Sequence, residues 1–245
     1  MPRLPILTAV VAALLFTAPD ARAASGACPV PADFASDVRP LPNAAKALDA
    51  GSLSILAIGS ASVSGGSSLS AEKAWPARLQ AALQARFPNS RIEVSVRGGR
   101  GVTVAEHLQL LRDTSPRASL VIWQAGTVEA ARGLDPDDMS EALLLGMERL
   151  RAQGADVILM DPQFSRFLRA NANIEPYRER MRMAAAAAGS PLFRRYDLMQ
   201  HWIESGTVDL ERAARNERVA VAEHLNDCLG RTLAALIAQG IAAAR

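Results

Sequence analysis

Three serines crowd one turn of this chain: Ser60, Ser62 and Ser64 follow an apolar run at 54–58 and Gly59, with Ala61 between the first two. Near the other end stands His224, within Glu223-His224-Leu225-Asn226-Asp227. A hydroxyl served by an imidazole base is the arrangement of nucleophilic acyl transfer, and it also needs N–H donors aimed at the developing oxyanion. Glu223 and Asp227 flank His224 without occupying the place from which a carboxylate orients a histidine, because sequence neighbours on a helix diverge. Two other carboxylates stand where apolar runs stop. Glu129 follows Gly126-Thr127-Val128, and Asp161 closes the run at 156–160. Such a pair suits glycosidase-like chemistry only at a fixed separation, which spacing along the chain does not supply.

The composition excludes several other chemistries. Lys plus Arg number 27 against 25 Asp plus Glu, a formal charge of +2, and the arginines are not interleaved with aromatics, so no nucleic-acid groove is expected. Gly98-Gly99-Arg100-Gly101 resembles a phosphate loop but lacks the lysine and the spacing, so it reads as a turn needing permissive backbone angles. There is no zinc or dinucleotide signature and no internal repeat; neither metal nor cofactor is expected. Cys28 and Cys228 are the two cysteines, readable as a disulfide tying the N-terminal segment to the last helix or as two free thiols.

Residues 1–23 read as a secretory signal peptide: a basic start at Arg3, an apolar core, and Ala21-Arg22-Ala23 as the cleavage site. Lipid attachment at Cys28 is a minor alternative, since Ser25-Gly26-Ala27 before it is a poor lipidation signal. No later run reaches the ~18 apolar residues of a membrane span, so the mature chain is expected to be periplasmic or secreted, with no transmembrane anchor. Residues 24–50, rich in Pro and Ala, read as an arm wrapped on one domain at 51–245.

Within that domain, short apolar runs at 54–58, 91–96, 120–124, 156–160 and 191–195 alternate with amphipathic stretches at 74–86, 104–112, 137–153, 175–188 and 223–241. This alternation predicts an α/β three-layer sandwich, with a five-stranded, mainly parallel sheet between helices. Ligands of such sheets sit beyond the carboxyl ends of the strands, where Gly59, Gly98, Gly126 and Asp161 fall. The less regular stretches 163–173 and 201–221 belong near the same rim. Trp123 reads as core, Trp202 beside His201 as a cover over the rim, and His107 as a helical histidine with no visible partner.

From residue 54 to 242 the chain resembles the SGNH/GDSL hydrolase superfamily, in particular a secreted bacterial branch. Ile58-Gly59-Ser60-Ala61-Ser62 is similar to its first motif, Arg97-Gly98-Gly99-Arg100-Gly101 to the second, Val121 to Thr127 leads into the third, and His224-Leu225-Asn226-Asp227 ends the fifth. Leu192-Phe193-Arg194-Arg195-Tyr196, Met199 and His201-Trp202 also look like this branch. The resemblance implies a flavodoxin-like fold and carries roles over one position at a time. The nucleophilic serine falls on Ala61, the oxyanion asparagine on Val128, and the acid on Val221. The glycine donor falls on Gly98 or Gly101, and the base on His224. A methyl group cannot attack a carbonyl, and losing one oxyanion donor costs roughly 3–4 kcal/mol of transition-state stabilisation.

The resemblance therefore implies a hydrolase-like protein of the envelope that binds an acylated or acetylated-glycan ligand, or a protein partner, without cleaving it. The competing reading is an ester or acetyl-ester hydrolase with Ser62 as a relocated nucleophile served by His224. The candidate pocket comprises Gly59, Gly98, Arg100, Gly101, Gly126, Glu129 and Asp161, with Arg97, Arg166 and Arg169 as further cations for an anionic group. Glu129 is read as a possible charge partner of His224 or a solvated rim residue. Val128 and Val221, larger and apolar, are expected to narrow the pocket.

Overall fold

Runs such as Ile55-Leu56-Ala57-Ile58 and Val157-Ile158-Leu159-Met160 have no polar face to offer water, so they require a sheet covered on both sides. The computed structural model describes residues 28–66, 69–112 and 117–245, with backbone alone at 35–37. The signal-peptide reading of 1–23 and the start of the arm at 24–27 lie outside the described residues. Strands β1 (Ser52–Gly59), β2 (Arg91–Gly98), β3 (Leu120–Gln124), β4 (Asp156–Met160) and β5 (Leu192–Phe193) form one parallel sheet in the order β2-β1-β3-β4-β5. Every residue of β3 and β4 is buried, whereas edge strand β2 alternates outward charges with inward Ile92.

Helices α1 (Pro42–Asp49), α2 (Trp75–Arg86) and α9 (Arg218–Ala243) pack together on one face of the sheet. Helices α3 (Val104–Arg112), α5 (Pro136–Ala152) and α7 (Glu175–Ala187) pack on the other, completing the expected three-layer α/β sandwich. Short α4 (Thr127–Arg132) and α6 (Arg166–Asn171), with α8 (Arg195–Glu204), follow the carboxyl ends of β3, β4 and β5. No helix among the described residues is long and apolar enough to cross a membrane.

Three departures from the sequence reading bear on the site. The 24–50 segment contains helix α1, whose Leu48, Ala44 and Ala45 join the core; buried Asp156 holds its first turn, accepting from the Ala44 N–H (2.9 Å) and the Asn43 amide (3.0 Å). The last helix begins at Arg218 rather than 223. Finally, α8 emerges directly from β5, its start fixed by Asp161 Oδ1 accepting from the Tyr196 N–H at 2.8 Å.

Cys28 and Cys228 form a disulfide, with Cα atoms 5.5 Å apart, fastening the segment before α1 to α9. Trp202 is buried and donates its indole N–H to the Pro29 carbonyl (2.8 Å), so it anchors the same segment and does not cover the rim.

Two motif glycines set the strand ends. Gly98 has φ +100°, and a Cβ there would collide with the Gly59 carbonyl oxygen. At Gly59 a Cβ would stand 2.8 Å from Gln124 Cβ and 2.9 Å from Val63 Cγ1, so its absence lets β1 and β3 bring their ends together.

Candidate functional site

Strand order reverses between β1 and β3, and the crevice beyond that reversal is where open α/β sheets bind ligands. The 3-10 turn Ala61–Ser64 leaves β1 there, and Gln124 ends β3 beside it. Ser62 Oγ donates to Gln124 Oε1 at 2.5 Å, while Gln124 Nε2 donates to Ser60 Oγ at 2.9 Å. Arg195 Nη1, from the first residue of α8, donates to Ser62 Oγ at 3.1 Å. The hydroxyl thus spends its only proton on an amide that cannot act as a base, and accepts from a cation.

Arg195 is 1% exposed, and among the described residues its Nε and Nη2 have no hydrogen-bond partner. Burial lowers its pKa to about 10, against the pull of Asp161, so it remains a cation at neutral pH. Asp161 is itself buried. Desolvation pushes its carboxyl up to about 6, opposed by the Tyr196 N–H and by Arg178 and Arg195. Its second oxygen accepts from Arg178 Nε at 3.4 Å, and Arg178 also pairs with Glu175 and Asp197 and stacks 4.1 Å over the Tyr196 ring. Asp161 is therefore engaged by α7 and the start of α8, leaving Arg195 with a nearby charge but no bonded counterion.

A cavity of about 330 Å³ opens beside this group. Ser62, Arg100, Gln163, Arg195 and Asn226 give its polar side; Leu69, Trp75, Met199, Leu210, Leu225 and Leu229 give apolar wall. A second cavity of about 200 Å³ shares Gln163, Met199, Leu210 and Leu225 with the first and continues it past Phe164, Ile203 and Val208. A larger hollow of about 560 Å³ along 169–175 and Tyr196 shares none of the first cavity's residues.

The structure separates the predicted site residues. On α9 the cavity-lining residues are Ala222, Leu225, Asn226 and Leu229, one face at helical spacing. His224 is off that face, with Nε2 3.8 Å from Cys228 Sγ, so it is not brought to Ser62. Its placement follows from the packing of α9, which turns Ala222, Leu225, Asn226 and Leu229 toward the cavity. Val128 and Val221 are half-buried, and neither lines the cavity, so they do not narrow it.

Glu129 is buried. Its oxygens accept from the Val104 N–H (2.7 Å) and the Gly126 N–H (3.0 Å), which joins the starts of α3 and α4 and leaves no role at a solvated rim or against His224. Gly59, Gly98, Gly101, Gly126 and Asp161 lie at the strand ends without lining the cavity, and Gly101 backs onto Arg132. Of the arginines, Arg100 lines it. Arg166 is held by Asp209 (2.8 Å) and Glu211 (3.5 Å), Arg169 lies over Phe164 at 5.6 Å, and Arg97 is exposed.

His107 has a partner after all: buried, its Nδ1 accepts from the Trp123 indole N–H at 3.1 Å. Sequence reasoning missed Gln124 and Arg195. The signal for Gln124 was a polar residue ending an otherwise apolar strand. Arg195 fell in a block resembling the family branch, but that resemblance carried no role for it. Ligating atoms of Cys28, His224 and Cys228 lie within 4.8 Å of one another, but the sulfurs are bonded to each other and offer no thiolate.

Residues 27–243 match the model of the non-GDSL lipase-like family. The fold is that of SGNH/GDSL-like hydrolases and esterases, as three solved structures illustrate. TesA is 22% identical with a TM-score of 0.57, covering 75% of this chain and 99% of its own. LAE5, an alpha/beta hydrolase enzyme from the metagenome of Lake Arreo, Spain, is 18% identical with a TM-score of 0.58, covering 79% and 96%. The lipase/acylhydrolase from Enterococcus faecalis is 16% identical with a TM-score of 0.57, covering 75% and 96%. At these identities the likeness is one of fold. No curated protein matches the chain in sequence.

Proposed function

The chain belongs to the non-GDSL lipase-like family, and from that premise we propose that it is a periplasmic or secreted hydrolase-fold protein that holds an acylated ligand without cleaving it. The observation that carries this reading is the Ser60–Gln124–Ser62–Arg195 network. Acyl transfer through Ser62 needs a group to take its proton. Gln124 cannot, and His224 lies against Cys228 on another face of α9. The guanidinium of Arg195 would favour a Ser62 alkoxide, which is the one feature supporting the competing esterase reading, but it too accepts no proton.

A cavity with converging polar groups at one side and apolar wall at the other supports ligand binding over a purely protein-binding role. Exposed apolar residues such as Phe167 on α6 and the neighbouring Leu144 and Leu145 on α5 do not line this cavity. Among the ligands considered, acyl chains suit the leucine-rich wall better than a bare glycan.

Hydrolysis of short-chain aryl esters and acetylated sugars, measured beside Ser62→Ala and His224→Ala, tests the proposal. All three proteins are expected to give the buffer rate. Turnover by the wild type that disappears in both variants would establish the relocated nucleophile instead.

A further inference from the structure

We propose that the dithiol form of this chain holds a zinc ion between Cys28, Cys228 and His224, a site that the disulfide closes. The inference is independent of the ligand-binding reading, since none of the three residues lines the cavity. Its basis is a geometry that a disulfide alone does not need. His224 and Cys228 are four residues apart on α9, so their side chains lie on one face, a turn apart. The imidazole Nε2 stands 3.8 Å from Cys228 Sγ, and Cys28 Sγ completes a triangle whose members all lie within 4.8 Å of one another. Zinc–sulfur bonds of ~2.3 Å and zinc–nitrogen bonds of ~2.1 Å at tetrahedral angles put a sulfur and a nitrogen that share the ion about 3.6 Å apart. The helix therefore presets one edge of the tetrahedron.

Two thiolates and an imidazole form a donor set suited to zinc and too soft for calcium or magnesium. Cys28 and His224 are half-buried, which gives metal and reductant access, while Cys228 is buried. Arg231 Nη2 donates to Cys28 Sγ at 3.2 Å, and a guanidinium at that place favours thiolate over thiol. Asp227 is paired with Arg231 at 2.8 Å, so the fourth position is left to water.

The dithiol form arises in two ways. Each newly made chain carries two thiols before the bond forms. A dithiol reductant also regenerates them: its thiolate attacks one cysteine sulfur, the Cys28–Cys228 bond breaks, and its second thiol resolves the mixed disulfide. Two electrons pass to the protein, Cys28 and Cys228 each gain a proton, and the reductant leaves as a disulfide. Zinc binding then replaces two S–H bonds with two Zn–S bonds, adds one Zn–N bond, and releases two protons to solvent. In the disulfide neither sulfur is a thiolate, and the ion has nothing to bind.

The test is anaerobic titration of Co²⁺ into protein reduced with dithiothreitol and freed of it, beside the disulfide form. The reduced protein is expected to bind one equivalent with a thiolate-to-cobalt charge-transfer band that Zn²⁺ abolishes, and the disulfide form to show no such band. His224→Ala keeps both cysteines, and its affinity should fall at least about 100-fold, since even groups behind the ligands are worth 10–100-fold. Zn²⁺ should raise the melting temperature of the reduced protein and leave that of the disulfide form unchanged.

Equal cobalt binding by both redox forms would overturn the proposal in favour of a site elsewhere, and unchanged affinity in His224→Ala would remove the imidazole from it. One ion bound per two chains would overturn it in favour of cysteines bridging two molecules. Should reduction abolish the near-ultraviolet circular dichroism, Zn²⁺ must restore it. Failure to do so, or a folded reduced protein without the cobalt band, would overturn the site.

Discussion

Ser62 makes two bonds with different chemical consequences, giving its proton to Gln124 and accepting one from Arg195, and both tie it into the wall rather than ready it for attack. Ser62→Ala should therefore act on stability, by about 1–3 kcal/mol, because it leaves a buried guanidinium donor and an amide oxygen unpaired. A urea titration reads that loss. His107 makes a separate, pH-dependent contribution. Burial holds its pKa down at about 4 from an ordinary 6.5, despite the opposing Gly59 carbonyl and Glu106. The native state then binds fewer protons than the unfolded chain between those values. Its stabilisation is full above pH 6.5 and is lost as the pH falls toward 4, by roughly 3 kcal/mol. Asp161, raised to about 6 from 3.8, works in the opposite sense, adding stability as the pH drops from 6 to 3.8. The difference between wild type and His107→Gln isolates the histidine: it should shrink steadily from pH 7 to pH 4, and a difference independent of pH would refute the assignment.

At the scale of elements, the β1–β2 register ends at Gly59 and Gly98, where one carbonyl fills the space a Cβ would need. Gly98→Ala should cost at least about 2 kcal/mol from overpacking and a left-handed backbone, seen as a lower urea midpoint at unchanged slope. The strands were legible because each is a short apolar run with turn signals at its ends. The start of α9 was not. Residues 217–220 are exposed and include β-branched Val219, so neither burial period nor propensity marks them as helical. His224 lies inside the helix whichever start is taken, and what keeps it from Ser62 is the face it occupies, which only the packing of α9 decides. The burial of Arg195 was equally hidden, since its partner Ser62 lies 133 residues earlier and the carboxylate that fixes α8 lies 35 before Tyr196. Family motifs marked the crevice, but only long-range packing assigned Ser62 and Arg195 to its polar wall with Gln124 behind them.

For the whole molecule, the Cys28–Cys228 bond closes a loop spanning 200 residues and holds the segment that Trp202 and Arg194 also engage, at Pro29 and Asp33. Reducing it should lower stability by about 2–5 kcal/mol, measurable as a drop in melting temperature. Under the proposed reading, a hydrolase-fold crevice holds a ligand while Ser62 is tied to Gln124 and Arg195 and His224 stands on another face of α9. Intact-mass analysis after incubation with an alkyl fluorophosphonate tests this most directly, because an activated serine displaces fluoride and gains the phosphonyl group. The unmodified mass is the expected result. A single stoichiometric adduct that maps to Ser62 and vanishes in His224→Ala would contradict the account.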